Sequence, residues 1–309
     1  MKDISVSIQQ VDKSYREKKA LQNINLEVNH GELFGLIGPD GAGKTSLFRI
    51  LTTLLLPDRG TLTLEGFDVV KNYRKVRDIV GYMPGRFSLY QDLTVEENLN
   101  FFATIFGTTV TENYHLIRDI YSQIEPFKDR PAGKLSGGMK QKLALSCALV
   151  HKPRVLILDE PTTGVDAISR KEFWEMLQRL KQEGITILVS TPYMDEASLC
   201  DRIALIQAGT LMTVNTPEKI PGLYKGDLWA ARSDSMFGLL QDLQAFNWID
   251  RVYLFGQTIH FTEKNPDFNA GLLEAFLQER GHKELNINKI NPSIEDCFIE
   301  LMSETSNHG

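Results

Sequence analysis

The sequence predicts an α/β chain. A mainly parallel sheet is covered by helices and edged by antiparallel strands. A helical insertion interrupts it, and a small α+β domain follows. Three observations carry that expectation. Short aliphatic runs such as Leu33–Ile37, Val155–Leu158 and Ile185–Val189 lack the strict polar alternation of half-exposed strands, as strands buried on both faces do. Helix-patterned segments alternate with them, which implies a sheet covered on both sides. After Thr216-Pro217 the alternation gives way to a β-α-β-β-α-β order.

Along the chain, Ser5–Gln9, Leu21–Val28 and Leu33–Ile37 are the first strand candidates. Thr45–Leu56 carries apolar residues at helical spacing, and Pro57-Asp58-Arg59-Gly60 ends it as a turn. Strands are expected again at Thr61–Leu64 and Ile79–Met83. From about Thr94 to Leu149 no strand-like run occurs, so a helical subdomain is placed at about residues 86–150. Val155–Leu158 then reads as a strand, Ser169–Gln182 as an amphipathic helix, and Ile185–Val189 as a strand leading to an acidic helix start. Ile203–Gln207 and Thr210–Val214, split by Ala208-Gly209, form a hairpin. Beyond it, strands are expected at Asp227–Arg232, Ile249–Phe255, Thr258–Thr262 and Glu284–Ile290. Helices are expected at Met236–Leu243, Phe268–Glu279 and from Ser293. That order is the split-βαβ, ferredoxin-like arrangement. The expected division is residues 1–216 and 217–309.

Composition narrows the function. The 309 residues are 42% hydrophobic and 24% charged, ordinary values for a globular protein, and the net charge of −6 argues against nucleic acid as a partner. MKDISVSIQQ lacks the basic-then-apolar pattern of a secretory signal, and no run of 18 apolar residues occurs. Cys147, Cys200 and Cys297 lie far apart in apolar sequence, which disfavours disulfide or metal roles and fits a reducing compartment. The chain reads as cytosolic.

Gly38 to Ser46, GPDGAGKTS, fits G-x-x-x-x-G-K-[ST] through Gly38, Gly43, Lys44 and Thr45. Glycines let the backbone turn so that successive N–H groups face inward as an anion nest, with Pro39, Asp40, Gly41, Ala42 and Ser46 completing the loop. A helix start adds its dipole, equivalent to roughly half a positive charge. Lys44 supplies a full charge toward the β- and γ-phosphates of a nucleotide, and Thr45 a hydroxyl for Mg²⁺. A glycine-rich turn is the plain alternative. A strand before the loop and a helix after it supply the context that the phosphate reading requires.

VLILDEPTTGVD ends a buried strand in two carboxylates, which places Asp159 and Glu160 at the C-terminal edge of the sheet. Asp159 is the expected Mg²⁺ ligand, directly or through water. Glu160 is placed to take a proton from an attacking water or to orient it. Taken alone, the same letters fit a strand-end turn. The phosphate loop separates the two readings. In KLSGGMKQKLALSCAL, Ser136 with the amides of Gly137 and Gly138 forms a second anion-binding helix start, or simply a cap.

Together, GPDGAGKTS, LSGGMKQ and VLILDEPTTGVD make the chain resemble the ATP-binding subunits of ABC transporters, over about residues 4–215. The resemblance implies a P-loop NTPase fold of that type, with ATP and Mg²⁺ as cofactors. It implies that Tyr15, in VDKSYREKKAL, stacks on adenine, although a packed tyrosine would look the same. Asp166 matches the loop acid that communicates between two nucleotide sites. In the family two such domains close head to tail over two ATPs, each held between one phosphate loop and the other domain's signature. A second ATP-binding domain, identical or different, and transmembrane permease subunits are therefore the implied partners. NPSIEDCFIELM resembles the ending of subunits in the drug, antibiotic and polysaccharide export branch, and equally a capped amphipathic helix. Gly81–Phe102 resembles that branch too, most of all the first half of bacterial tandem ATP-binding export proteins.

Two positions depart from the family pattern. Pro192 stands where most members carry a histidine that contacts the γ-phosphate, and Gly85 where a glutamine is usual. Proline has no side-chain donor, and glycine has no side chain. Loss of one preorganised donor typically costs about 10²- to 10³-fold in rate, so a slow or degenerate site is expected unless Ser190, Thr191 or Arg86 substitutes. The implied activity is an ATPase that drives export from the cytoplasmic side of the inner membrane, with membrane subunits docked near Phe87–Val95. A non-hydrolysing regulatory module is the alternative. A soluble protein of this type acting on ribosomes or DNA is disfavoured by the absence of a second cassette, a long coiled coil or basic charge.

Overall fold

The computed structural model describes residues 3–264 and 268–306. The chain divides after Pro217 into two units. The first begins with β1 (Ile4–Tyr15), β2 (Lys18–Asn29), β3 (Leu33–Ile37), α1 (Lys44–Leu51), β4 (Arg59–Leu64) and β5 (Phe67–Asp68). It continues through α2 (Tyr73–Ile79), β6 (Val80–Met83), α3 (Val95–Ile105), α4 (Tyr114–Tyr121) and α5 (Gly137–Leu149). It closes with β7 (Val155–Asp159), α6 (Ala167–Gln182), β8 (Thr186–Thr191), β9 (Arg202–Gln207) and β10 (Thr210–Asn215).

The central sheet has six strands in the order β10-β9-β3-β8-β7-β6. All neighbours run parallel except the edge hairpin β9–β10. β3, β7 and β8 are buried at every residue, which explains their unbroken apolar runs. A separate antiparallel sheet, β2-β1-β4-β5, packs its apolar face into the same core through Val6, Ile8, Leu26 and Leu62. The insertion is helical as expected. A capping box starts α3, in which Thr94 accepts from the Glu97 amide and Glu97 from the Thr94 amide.

Several boundaries differ from the sequence reading. α1 stops at Leu51 because Thr53 adopts φ +62°, and Leu54 and Leu56 then lie exposed. Ile79 closes α2 and does not open β6. β1 and β2 extend well past their apolar runs because the two strands pair as far as Tyr15 and Lys18.

The second unit runs β11 (Leu228–Arg232), α7 (Met236–Ala245), β12 (Ile249–Phe255), β13 (Thr258–Glu263), α8 (Ala270–Glu279), β14 (Asn286–Ile290) and α9 (Ile294–Ser306). Its sheet is antiparallel throughout, in the order β12-β13-β11-β14, which is the split-βαβ topology. Leu239, Leu243, Leu273 and Leu277 of α7 and α8 pack on Ile259 and Phe261. Strand alternation sends His260 to the other face, where its Nδ1 lies 2.7 Å from Asp296 of α9. Among the described residues, no helix is long and apolar enough to cross a membrane.

Candidate functional site

β3 ends at Ile37 in the middle of the sheet, and the chain turns at once through Gly38. A Cβ at Gly38 would lie 2.2 Å from the Ile206 carbonyl, so the turn is pressed against β9 and tolerates only glycine. Gly43 has φ +113°, and a Cβ there would lie 2.5 Å from the Ala20 carbonyl. α1 starts immediately afterwards, and the amides of its first turn have no acceptor within the helix. Ala42 is buried, Thr45 and Ser46 are half-buried, and Asp40 and Gly41 are exposed.

Lys44 is 2% exposed, and its Nζ donates to the carbonyls of Gly38 (2.7 Å) and Pro39 (3.0 Å). The same nitrogen lies 3.1 Å from Oε1 of Glu160, so the loop's cation and the strand-end acid meet. Tyr15 borders the loop. Its hydroxyl is 3.3 Å from Ser46 Oγ, and the residue is 45% exposed.

The acidic end is held from β8, where Asp159 stands opposite Ser190. Ser190 Oγ donates to Asp159 Oδ1 at 2.6 Å and accepts from the Glu160 amide at 3.0 Å. That amide also points at the Ser190 carbonyl, 3.1 Å away. Glu160 itself adopts φ +49°, in the left-handed region. The buried Asp159 carboxylate and the Thr45 hydroxyl are hard oxygen donors of the kind Mg²⁺ takes alongside phosphate oxygens. The residues present fit that ion.

A second cluster forms at the starts of α5 and α6. Ser136 caps α5, accepting from the Met139 amide at 3.4 Å. Asp166 caps α6, accepting from the amides of Ile168 (3.1 Å) and Ser169 (3.0 Å). The Ser169 amide holds the Asp166 carboxyl below its ordinary range. A Cβ on Gly138 would lie 3.0 Å from Ser169 Oγ, and one on Gly137 3.7 Å from the Gly164 carbonyl. The two helix starts are therefore in contact.

Comparison with known proteins gives this arrangement its family. The family model for ABC transporters matches residues 21–163. The probable multidrug ABC transporter ATP-binding protein YbhF of Escherichia coli is 38% identical over 308 residues, covering 98% of this chain and 53% of that protein. The Nod factor export ATP-binding protein I of Sinorhizobium fredii is 33% identical over 306 residues, covering 97% of this chain and 86% of that protein. The chain belongs to the ABC transporter ATP-binding proteins. It spans about half the length of YbhF. Among solved structures, cbiO1 of Clostridium perfringens, described as part of the ABC transporter complex cbiONQ, superposes with a TM-score of 0.63 at 27% identity. That likeness covers 71% of this chain and 90% of cbiO1.

Within this ABC cassette the two departures border the acidic end. A Cβ on Gly85 would lie 3.0 Å from the Asp159 carbonyl and 3.8 Å from Glu160 Cβ. Pro192 directly follows Thr191, the last residue of β8, and is half-buried. Three further residues were not singled out from the sequence. Glu196 is 2% exposed, and its Oε2 accepts from Thr191 Oγ1 (2.5 Å) and Thr162 Oγ1 (3.1 Å). Arg170 Nη1 lies 3.8 Å from Oε1 of the same carboxylate. The acidic helix start at Asp195-Glu196 was visible, but it is realised as a 3-10 turn over Met194–Leu199, with Glu196 pointing inward.

A groove of about 410 Å³ lies between α2, β6 and the helical insertion, lined by Tyr82, Met83, Leu89, Phe102, Ile105 and His151 among others. Burial keeps the His151 imidazole below its ordinary range, and its Nε2 is 3.1 Å from the Val80 carbonyl.

Proposed function

We propose that this chain is the ATP-binding and ATP-hydrolysing subunit of an ABC-type exporter. The observation that carries the reading is the meeting of Lys44 with Glu160 at 3.1 Å, which joins the phosphate loop to the acidic strand end. The loop amides from Gly38 to Ser46 and the Lys44 ammonium bind the phosphates, and Tyr15 stacks on the base. Thr45 and Asp159 hold Mg²⁺, which when bound neutralises phosphate charge. Glu160 orients and deprotonates the attacking water. The printed names of the relatives, multidrug transport for one and Nod factor export for the other, support an export role.

Ser136, Gly137, Gly138 and Asp166 serve a nucleotide shared with a second ATP-binding domain. Membrane permease subunits dock on the apolar groove beside Leu89, at the cytoplasmic side of the inner membrane. Residues 217–309 form an accessory domain. Gly85 and Pro192 leave the γ-phosphate short of two side chains, so turnover is slow. Those same two residues favour one second reading, a module that binds ATP without hydrolysing it.

ATPase and binding assays on the full chain and on Glu160→Gln test both. Slow turnover that the substitution removes, with Mg·ATP affinity retained, supports the first reading. Binding without turnover in the unsubstituted chain selects the second. No binding overturns both.

A further inference from the structure

We infer that Glu196 is a positioning residue for Glu160. A carboxylate buried this deeply is costly unless it is hydrogen-bonded or faces a charge of opposite sign. Through one oxygen, Glu196 ties together two segments that approach the acidic end from different sides. Thr191 closes β8 one residue after Ser190, which holds Asp159 and the Glu160 amide. Thr162 lies two residues past Glu160, on the turn that carries it. Both hydroxyls donate to the same oxygen, Oε2, so the carboxylate clips the Glu160 turn to the end of β8.

The clip has work to do because Glu160 sits in a left-handed backbone conformation that is costly for an L-residue. Ser190 fixes the amide on one side of that residue, and Glu196, through Thr162, fixes the turn on the other. The far oxygen, Oε1, is buried with no hydrogen-bond partner, and Arg170 Nη1 is 3.8 Å from it. Arg170 lies one helical turn past Asp166, and its guanidinium covers the Tyr193 ring at 4.8 Å. The start of α6 and the Glu160 turn thus share one buried carboxylate. With proline at 192, this pairing and Ser190 secure the strand end that a γ-phosphate would face.

The inference rests on the ATPase reading for its kinetic consequence, so its test has two arms. In the full chain, Thr162→Val and Glu196→Ala each lower kcat about tenfold, the effect of losing one positioning hydrogen bond, while KM for ATP stays within about twofold. Adding Thr162→Val to Glu196→Ala costs nothing more, because the Thr162 hydroxyl acts through the Glu196 carboxylate. The second arm is amide exchange of Glu160 and residues 162–165, which Thr162→Val and Glu196→Ala speed about tenfold, whereas Glu196→Gln, which keeps a carbonyl oxygen for both threonines, does so by less than threefold. Unchanged exchange in Thr162→Val and Glu196→Ala overturns the inference whether or not the chain hydrolyses ATP. Faster exchange supports the clip even in a chain without turnover, a result that removes the ATPase reading alone. Equal losses in kcat, ATP affinity and melting temperature would mark Glu196 as merely structural and also overturn it.

Discussion

Lys44 Nζ and Glu160 Oε1 are 3.1 Å apart, although 116 positions separate the two residues in the chain (160 − 44). The contact exists because β3 and β7 both flank β8 and end at the same edge of the sheet. The ammonium is held by two carbonyl acceptors and one carboxylate.

Lys44→Ala removes that fixed charge. Charge-assisted hydrogen bonds are worth about 1.5–3 kcal/mol, so Mg·ATP affinity falls about 10- to 100-fold. Titration calorimetry on both proteins checks this. The substitution leaves the loop glycines untouched, and the fold persists by circular dichroism.

Pro192→His returns a ring nitrogen to the end of β8. Turnover rises about 10²- to 10³-fold with little change in KM, as one added transition-state donor predicts. Steady-state ATPase kinetics read the effect. Gly85→Gln is the less clean partner, because its Cβ must clear the Asp159 carbonyl at 3.0 Å.

The second unit carries a pH dependence through Asp296. Burial pushes its carboxyl up, but the hydroxyl and amide of Ser293, with His260 and Tyr253, prevail and hold it below its ordinary value. A folded pKa lower than the unfolded one gives stability that is complete above the unfolded pKa of about 4 and lost as pH falls through the folded value. Asp296→Ala strands buried donors and costs about 1–3 kcal/mol at pH 7. It also flattens the fall in stability below about pH 4. Urea unfolding followed by the fluorescence of Trp229 and Trp248 measures both.

Much of this molecule is legible in its letters, for identifiable reasons. The phosphate loop can be read because steric contact with Ile206 and Ala20 forces glycine at fixed spacing. The buried strands show because two-sided burial leaves no room for alternation. The end of α1 is less visible, since Leu54 and Leu56 keep the helical apolar spacing yet lie exposed beyond a left-handed Thr53. The pairing of Glu196 with Thr162 joins residues 34 apart, and neither local pattern names its partner. Ser190 is similar: its position at a strand end was plain, but its two bonds to Asp159 and Glu160 arise only from the β7–β8 register.

The bent backbone at Glu160 is a strain that the fold carries for the sake of an acid. An L-residue there gives up roughly 1–2 kcal/mol that glycine would not. Glycine would relieve that strain, but it would also strip the buried Lys44 ammonium of its carboxylate partner and widen the freedom of the unfolded chain. The twisted acid therefore repays part of its own cost by neutralising a charge that has nowhere else to go.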